Sequence, residues 1–389
     1  MKIGVLGPFP PFRGGISNFD AELVRNLPET VDGAAFNYTR LYPRLLFPGK
    51  TPLDTSRVRY PGAADPVFDP YNPLSWRRGR RRIAAEGLDV LLLSWWTPFF
   101  APFLLRFLGP LHHRAYQRLL LVCHNVEPHE PVPLGRFFQR RLFRLADAFI
   151  AHWEGDAGAL ARAWPHTPVC RLFVPRFSGF PDTPGLTRME ARERLGLPGA
   201  AKIVLFFGII RKYKGLDVLL QAFETLAAEH PDLFLVVAGE FYDKRRDYQT
   251  WIAPLERAGR IRVTDAFVPN EAVEVYVKAS DVAVLPYHHA TQSGVIPLVY
   301  QWGRGVVTTR VGGLAETVDD GVSGILVPPG DPRALAGAIL AYLQARDRFE
   351  SAVPATAARF TPRRYVEGLL RFIGAETGPA GRVPAEEEP

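Results

Sequence analysis

Cysteine is scarce in this sequence, which contains only Cys123 and Cys170 among its 389 residues. Two cysteines exclude a disulfide framework and a cysteine-rich metal cluster, and their scarcity is typical of a reducing compartment. Long apolar runs are also absent, since none reaches the roughly 18 residues that a membrane-spanning helix needs. The N-terminus lacks the charged and then apolar pattern of a signal peptide, because prolines follow Gly7 at once. We therefore expect a cytoplasmic protein.

Acidic residues are outnumbered by basic ones, with 40 Asp and Glu against 47 Lys and Arg, which gives a net charge of +7. A basic balance suits phosphates, nucleic acid or an anionic membrane. The basic residues are scattered and no nucleic-acid-binding motif accompanies them, so we expect no nucleic acid as a partner. No internal repeat is present, and the length exceeds that of one typical core, which favours two domains.

Short apolar segments alternate with amphipathic ones through both halves of the chain, which is typical of an α/β fold. The clearest predicted strands are 2–7, 88–93, 119–123, 146–151, 202–208, 234–239, 261–264 and 281–286. Many Pro and Gly residues between 165 and 198 indicate a linker. The pattern predicts two doubly wound, Rossmann-like domains facing a cleft. The predicted boundaries are 1–175 and 201–355 for the domains, 176–200 for the linker, 356–373 for a last helix and 374–389 for a disordered acidic tail.

The stretch from Tyr287 to Leu298 is the first candidate site, because it follows the predicted strand at Asp281–Pro286. Small polar residues crowd the point where a helix should begin, namely Thr291, Gln292, Ser293 and Gly294. The first backbone N–H groups of a helix lack partners and carry a partial positive charge, which makes an anion site. The alternative interpretation is an ordinary strand–helix–strand unit with a normally capped helix.

A second candidate is the turn of the first strand–loop–helix unit. Gly14 and Gly15 stand just before Ser17–Asp20, which resembles a capping box that opens a helix to about Leu27. Glycines at such a turn let a backbone approach a ligand closely. A plain tight turn is the alternative.

Two clusters of polar side chains follow predicted strands directly. Arg211, Lys212 and Lys214 lie between the strand at 202–208 and a helix, where fixed cations suit a diphosphate. Polar residues past a parallel strand face the ligand crevice of an open sheet. The second cluster, after the strand at 119–123, is His124, Asn125, His129 and Glu130. The alternatives are solvated lysines in a loop and ordinary turn residues. Metal binding is not expected, because neither cluster has the ligand spacing of a metal site.

A basic run and an aromatic stretch stand out in the first half. The run beside Trp76 is Arg77, Arg78, Arg80, Arg81 and Arg82, and the aromatic stretch is 95–108. Together they suit an anionic membrane surface. A buried helix beside a solvated charged face is the alternative. The segment 40–75 is rich in Pro, Arg and aromatic residues and is predicted to be irregular.

Several of these motifs occur in an order that resembles a known family. They are 10–15, 124–130, 208–215, 290–294 and 311–330. The chain resembles the retaining glycosyltransferases of family 4, which have the GT-B fold of two Rossmann-like domains. The resemblance covers roughly 1–373 and is strongest from 202 to 345. It implies a last helix that crosses back to the N-terminal domain, an acceptor in that domain and a nucleotide-diphosphate sugar in the other. The donor would be a UDP-, GDP- or ADP-sugar, the acceptor a glycan or a lipid-linked molecule, and no cofactor would be needed.

The resemblance also assigns roles to individual residues. It implies that Lys214 contacts the diphosphate, that His124 lies near the donor sugar, and that Gly14 and Gly15 lie near the donor phosphates and the acceptor. The family's arginine falls on Ile209, and Arg211 is our candidate substitute. Gln292, Ser293 and Gly294 would hold the sugar or the phosphates. Asn125, His129 and Glu130 are candidates on the acceptor side.

The sequence departs from the family at its paired glutamates, which seven intervening residues separate, because these positions are Ala290 and Leu298. We interpret the Thr-Gln-Ser-Gly loop as an active subgroup in which the ribose contact is unassigned. No Asp-x-Asp triplet occurs, so a metal-independent reaction is expected. The alternatives are a nucleotide-sugar epimerase and a catalytically silent partner that binds the nucleotide sugar for another transferase.

Overall fold

The computed structural model describes residues 1–43, 47, 49–127 and 133–375. The first domain is built on a parallel sheet of seven strands in the order β3-β2-β1-β4-β5-β6-β7. These strands are β1 Lys2–Gly7, β2 Asp32–Tyr38, β3 Asp65–Phe68, β4 Leu88–Trp95, β5 Tyr116–Cys123, β6 Ala148–Ala151 and β7 Val169–Arg171. Helices cover the sheet, namely α1 Gly15–Arg25, α2 Trp76–Ala84, α3 Ala101–Leu108, α4 Gly135–Phe143 and α5 Glu154–Ala163. The central strands are buried apolar runs, as a sheet covered on both faces requires.

The capping box predicted at Ser17–Asp20 is wrong. Helix α1 begins at Gly15, and Gly14 precedes it with a φ of 120°, a conformation that glycine adopts without steric cost. Ser17 and Asp20 therefore lie inside the helix and are buried. The Ser17 hydroxyl has no hydrogen-bond partner in the described residues.

Two regions of the first domain differ from what the sequence indicates. The segment 40–75 is more regular, and the aromatic stretch is more buried. The segment 40–75 contains β3, which pairs with β2 at the sheet edge. The aromatic stretch forms the end of β4, a short 3-10 turn and α3, and its largest members are interior, including Trp95, Phe100 and Phe107. The interpretation as a buried helix is therefore the better one for the aromatic residues.

The Pro- and Gly-rich segment at 165–198 contains β7 and a further helix, α6 Arg188–Leu195. A capping box between Thr187 and Glu190 opens this helix. Arg192 of α6 donates a hydrogen bond to the buried Asp281 carboxylate at 2.5 Å. This part of the chain is therefore anchored to the second domain.

The second domain is built on a parallel sheet of six strands in the order β10-β9-β8-β11-β12-β13. The strands are β8 Lys202–Phe207, β9 Leu233–Ala238, β10 Ile261–Thr264, β11 Val282–Leu285, β12 Val306–Thr309 and β13 Gly324–Val327. The helices are α7 Leu216–Glu229, α8 Gln249–Arg257, α9 Asn270–Ala279, α10 Val295–Gln301, α11 Gly312–Thr317, α12 Pro332–Gln344 and α13 Arg346–Ala357. The order reverses between β8 and β11, which is the point where an open α/β sheet binds its ligand.

The last helix, α14 Pro362–Ala375, returns to the first domain, as predicted. Its Tyr365 ring meets Phe19 of α1 edge-on, with ring centroids 5.2 Å apart. Arg118 of β5 donates a hydrogen bond to the Ile373 carbonyl at 3.1 Å. The chain thus crosses between the domains twice, and a 2.7 Å hydrogen bond from Arg176 N–H to the Phe360 carbonyl joins the two crossings. The predicted tail lies mainly outside the described residues, since these end at 375.

Candidate active site

A cavity of about 500 Å³ lies between the two domains. It opens at the carboxyl ends of the strands, because its wall includes the residues that follow β1, β5, β8, β9 and β11. This size falls within the range of sites that take small molecules. Of the predicted site residues, the wall contains Gly14, Gly15, His124, Asn125, Lys214, Gln292, Ser293 and Gly294.

The loop at 290–294 is shaped by two glycines behind it. A β-carbon on Gly312 would lie 1.8 Å from the Ala290 carbonyl oxygen, and one on Gly313 would lie 2.6 Å from that of Thr291. Gly313 N–H also donates to the Thr291 carbonyl at 3.0 Å. Gly312 and Gly313 open α11 and let the loop pack against it. Helix α10 then starts at Val295, whose N–H donates to Ser293 Oγ at 3.3 Å.

Polar contacts cross the cleft between this loop and the end of β5. Thr291 Oγ1 lies 2.7 Å from Asn125 Oδ1 and 3.3 Å from the His124 carbonyl oxygen. Gln292 Nε2 lies 3.5 Å from His124 Nδ1. Asn125 Nδ2 also donates to the Trp96 carbonyl at 3.3 Å, which fixes the amide. The two predicted motifs therefore form one site when the domains are closed.

His124 is a buried, neutral imidazole. Burial lowers its pKa well below the ordinary value, and the nearby His152 lowers it further. The Phe19 ring meets it edge-on, with ring centroids 4.8 Å apart. Its Nε2 atom has no hydrogen-bond partner in the described residues. A neutral imidazole beside a cavity can exchange a hydrogen bond with a sugar hydroxyl.

Lys214 supplies the cation nearest to the loop. Its ammonium lies over the Tyr287 ring, 5.4 Å from the centroid, and a β-carbon on Gly208 would be 3.4 Å from Nζ. Within the described residues no carboxylate pairs with it. Burial lowers the pKa of Lys214 and the neighbouring Arg211 lowers it further, whereas Tyr213 raises it. A bound anion would offset this desolvation.

The position of Lys214 depends on the glycine that follows it. Gly215 has a φ of 67°, and a β-carbon there would lie 1.9 Å from the Pro286 carbonyl oxygen. Gly215 thus closes the 3-10 turn Lys212–Lys214 directly against the end of β11. This contact explains why the lysine at this site is followed by a glycine.

Arg211 does not reach the cavity wall. Its guanidinium stacks on the Tyr242 ring, 5.2 Å from the centroid. Ile209 does line the wall, so an apolar side chain stands where the resemblance implies an arginine. The role predicted for Arg211 as a substitute is thus not supported by its placement, although its charge lies close enough to act on Lys214.

Sequence reasoning missed the ion pair between Arg13 and Glu240, which joins the domains across the cleft. Arg13 Nη2 donates to Glu240 Oε2, and both side chains are buried and line the cavity. Lys50 N–H donates to Glu240 Oε1 at 2.5 Å. The only sequence signal was position, because Arg13 precedes the diglycine and Glu240 follows β9.

Two expected carboxylates are absent from the wall, since both Ala290 and Leu298 line it. The predicted acceptor-side residues His129 and Glu130 lie outside the described residues. Among the residues that the structure does describe, no group of three or more His, Cys, Asp or Glu side chains is placed to hold a metal ion.

The chain is similar to known proteins in sequence. The family described as "Glycosyl transferases group 1" matches residues 201–345. The D-inositol 3-phosphate glycosyltransferase of Corynebacterium urealyticum is 35% identical over an alignment of 270 residues, and the match covers 64% of this chain and 63% of the relative. The enzyme of that name from Xylanimonas cellulosilytica is 30% identical over 296 residues, 71% of this chain and 69% of the relative. The chain belongs to the group 1 glycosyltransferases.

This group 1 glycosyltransferase spans about three fifths of the length of several curated relatives, with 63%, 58% and 60% for those from C. urealyticum, Geodermatophilus obscurus and Segniliparus rotundus. Its fold matches sucrose-phosphate synthase from Thermosynechococcus elongatus, with a TM-score of 0.71, 18% identity and coverage of 97% of this chain and 100% of the other. It also matches Anabaena Alr3699/HepE in complex with UDP and glucose, with a TM-score of 0.73, 17% identity and coverage of 96% and 100%. At these identities the likeness concerns the GT-B fold alone, which confirms the predicted fold.

Proposed function

We propose that this group 1 glycosyltransferase moves a hexose, with retention of configuration, from a nucleotide-diphosphate sugar to a glycan or lipid-linked acceptor. The observation that carries the proposal is the desolvated Lys214 ammonium, which faces the cleft without a carboxylate partner in the described residues. A fixed cation in such a site stabilises the negative charge that grows on a departing diphosphate. The curated relatives, which carry the name glycosyltransferase, support the same reaction class.

The other wall residues take supporting roles in this proposal. Gln292, Ser293 and the Gly294 N–H would hold the sugar or its phosphates, opposite Gly14 and Gly15. His124 would exchange a hydrogen bond with the donor sugar as a neutral imidazole. Asn125, held by Trp96 and Thr291, would face the acceptor. Closure of the two domains would exclude water and so limit hydrolysis of the donor.

The acceptor hydroxyl would attack on the face that the diphosphate leaves, and the departing phosphate would take its proton. No dedicated protein base is needed in this scheme. We propose that the reaction needs no metal ion, and we place the Thr-Gln-Ser-Gly loop in an active subgroup. The support for that placement is that the loop packs against Gly312 and Gly313 and contacts the other domain.

The first test is a thermal-shift panel of UDP, GDP, ADP, CMP and dTDP with their common sugars, with and without magnesium. A ligand that binds only the folded chain raises the melting temperature by mass action. A shift with one nucleotide and its sugar, unchanged by magnesium, supports the proposal, and product analysis of that donor would show transfer. If every ligand at millimolar concentration leaves the melting temperature unchanged, the proposal fails.

A catalytically silent partner is the second candidate. The observation in its favour is that Ala290 and Leu298 place apolar groups in the cavity wall where the resemblance implies two glutamates. In that case the donor would bind and raise the melting temperature, but neither transfer nor hydrolysis would follow.

We also propose that the protein acts at an anionic membrane surface, on the cytoplasmic side. Arg77, Arg78 and Arg81 on α2 are exposed, and Leu74 just before this helix is 92% exposed. Arg80 and Arg82 are engaged instead, Arg80 with the Phe107 carbonyl and Arg82 with Asp65 and Glu86. In the part of the chain that the structure describes, no helix is long and apolar enough to cross a bilayer.

A further inference from the structure

A nucleotide-diphosphate sugar brings a ribose diol into the cleft, and charged acceptors for its hydroxyl groups are few in the described part of the cavity wall. Two carboxylates line the wall in the described residues, Asp54 and Glu240. Each Asp54 oxygen accepts one hydrogen bond, Oδ1 from Ser56 N–H at 2.9 Å and Oδ2 from Asn270 Nδ2 at 2.8 Å. Asp54 lies on the first domain rather than on the sheet with the Lys214 cation, so Glu240 is the better candidate for a ligand held at that cation.

Glu240 stands at a position where Rossmann-like sheets place an acidic residue. The second domain has its strands in the order 3-2-1-4-5-6 when they are numbered from β8, and Glu240 follows the second of them, β9. In that strand order, a carboxylate near the end of the second strand accepts hydrogen bonds from the ribose of a bound nucleotide. The topology therefore directs a ribose to Glu240 independently of any motif in the sequence.

The surface between Lys214 and Glu240 is bare backbone. Gly208 follows β8 and lies near the Lys214 ammonium, and Gly239 follows the neighbouring strand β9. A β-carbon on Gly239 would be 1.9 Å from the Gly208 carbonyl oxygen, so the two glycines pack without side chains between them. β8 and β9 are neighbouring strands, which lie about 4.8 Å apart, so Glu240 follows the strand next to the one whose end carries Gly208. A ligand can lie across this floor with its diphosphate at Lys214 and its sugar diol at Glu240.

Glu240 also has capacity for two more hydrogen bonds. Each carboxylate oxygen has two acceptor sites, and in the described residues each uses one, Oε1 for Lys50 N–H and Oε2 for Arg13. Arg13 is itself held by Tyr242, whose hydroxyl accepts at 3.2 Å, and by the Phe267 ring. The carboxylate is thus fixed in place while two of its acceptor sites stay available in the described residues.

We propose that Glu240 binds the ribose diol of the donor nucleotide and that Arg13 positions its carboxylate. This proposal rests on the proposed function, because it needs a nucleotide in the cleft. Phe267 and Val268 would then border the base beyond the ribose.

The test is calorimetric binding of UDP, GDP and ADP to the whole chain, each in the ribose, the 2′-deoxy and the 2′,3′-dideoxy form. Hydrogen bonds to a charged group predict that the wild type binds the ribose form of its nucleotide at least about tenfold tighter than the dideoxy form. Glu240→Gln should reduce this ratio to within about twofold. Asp54→Asn, which changes the other carboxylate of the wall, should keep the wild-type ratio.

Two further variants keep the test decisive if Glu240→Gln fails to fold. Glu240→Gln leaves the buried Arg13 without an ionic partner, whereas the double variant Arg13→Met with Glu240→Gln removes both charges together. The double variant should bind all three forms of the nucleotide about equally. Arg13→Met alone should keep a preference for ribose, because the carboxylate remains.

The outcomes separate this inference from the function on which it rests. The role of Glu240 is overturned if the wild type binds the nucleotide without preferring its ribose form. It is also overturned if both variants that lack Glu240 keep the full preference for the ribose form. Either result leaves the proposed function standing. If the wild type binds none of the ribonucleotides, the proposed function fails and the ribose site fails with it.

Discussion

Thr291 Oγ1 donates a hydrogen bond to Asn125 Oδ1 over 2.7 Å, and this bond joins the two domains at the bottom of the cleft. The two residues are 166 positions apart in the chain. One belongs to the loop after β11 and the other to the end of β5. The bond can form only when the domains are closed, so it reports and stabilises that state.

Thr291→Val should weaken closure while leaving the loop intact. A hydrogen bond between neutral groups contributes about 1 kcal/mol, so the equilibrium constant for closure should fall roughly fivefold. We expect a fall in kcat/KM of that size, measured with the donor from the nucleotide panel. Thr291→Ser keeps the hydroxyl and should stay near wild type. A loss in Thr291→Ser without a loss in Thr291→Val would show that the methyl group, not the bond, matters.

Lys214→Ala should lower turnover by on the order of 10²-fold or more, because the charge aimed at the leaving diphosphate is lost. Steady-state kinetics with a saturating donor measures this effect. Lys212→Ala is the matched control, since that exposed lysine is two residues away and does not line the cavity. Wild-type turnover in Lys214→Ala would remove the lysine from the mechanism.

Gly215→Ala should destabilise the second domain and displace Lys214. The residue has a φ of 67°, and the new methyl group would collide with the Pro286 carbonyl oxygen at 1.9 Å. We expect a loss of at least about 2 kcal/mol in the free energy of unfolding, together with weaker nucleotide binding. Urea titration and calorimetry measure the two effects.

Gly337→Ala is the control for that substitution. Gly337 lies on the exposed side of α12, and a β-carbon there meets nothing within 4 Å. It should stabilise the chain by up to about 1 kcal/mol, because alanine favours a helix over glycine. A Gly215→Ala variant that is as stable as this control would contradict the close contact at Pro286.

Acid should destabilise the fold through its buried histidines. Burial lowers the pKa of His152 to about 4, so the unfolded chain binds a proton at this residue below about pH 6.5 while the folded chain stays neutral. The unfolded state then holds more protons, and the free energy of unfolding falls as the pH falls from 6.5 towards 4. By pH 4.5 the loss from His152 alone should be roughly 2–3 kcal/mol.

The measurement compares urea unfolding of the wild type and His152→Phe at pH 7 and 4.5. A comparison is needed because burial raises the pKa of Asp156 to about 6, which acts in the opposite direction over this range. Relative to the wild type, the variant should gain roughly 2–3 kcal/mol on acidification. An unchanged difference between the two proteins would mean that His152 is protonated in the fold.

The exposed arginines of α2 should carry any attraction to lipid. We expect the chain to sediment with vesicles that contain anionic lipid but not with neutral ones, and Arg77, Arg78 and Arg81 changed together to Ser should abolish this. The control changes Arg257, Arg333 and Arg364 to Ser, which removes the same charge from exposed positions elsewhere. Binding that ignores lipid charge, or that the control abolishes equally, would contradict the proposed surface.

Much of the fold follows from local sequence, because a parallel strand that is buried on both faces is an apolar run with turn residues on either side. The strands at 202–208 and 234–239 were predictable for that reason. Apolar content alone does not separate an interior helix from a surface one, so the stretch at 95–108 left both interpretations open. The capping box failed because the positive φ of Gly14 starts α1 two residues earlier than the box does.

Part of the candidate site could likewise be predicted from the sequence, and part could not. Lys214 and His124 could be placed because each follows a strand of its own sheet, where ligand crevices lie. The pair of Arg13 and Glu240 could not, because 227 residues separate its members and only the packing of two domains brings them together. The burial that keeps His124 neutral depends likewise on Phe19 of a distant helix.

Helix α14 has a consequence for synthesis on the ribosome. The first domain contains the earliest residues of the chain, yet α14 packs Tyr365 and the buried Leu369 against it. Domains generally fold as units in the order in which they emerge, from the N-terminal end. Here one side of the domain that is translated first stays uncovered until the entire second domain has been synthesised. Helix α14 therefore completes a domain whose strands lie far earlier in the chain.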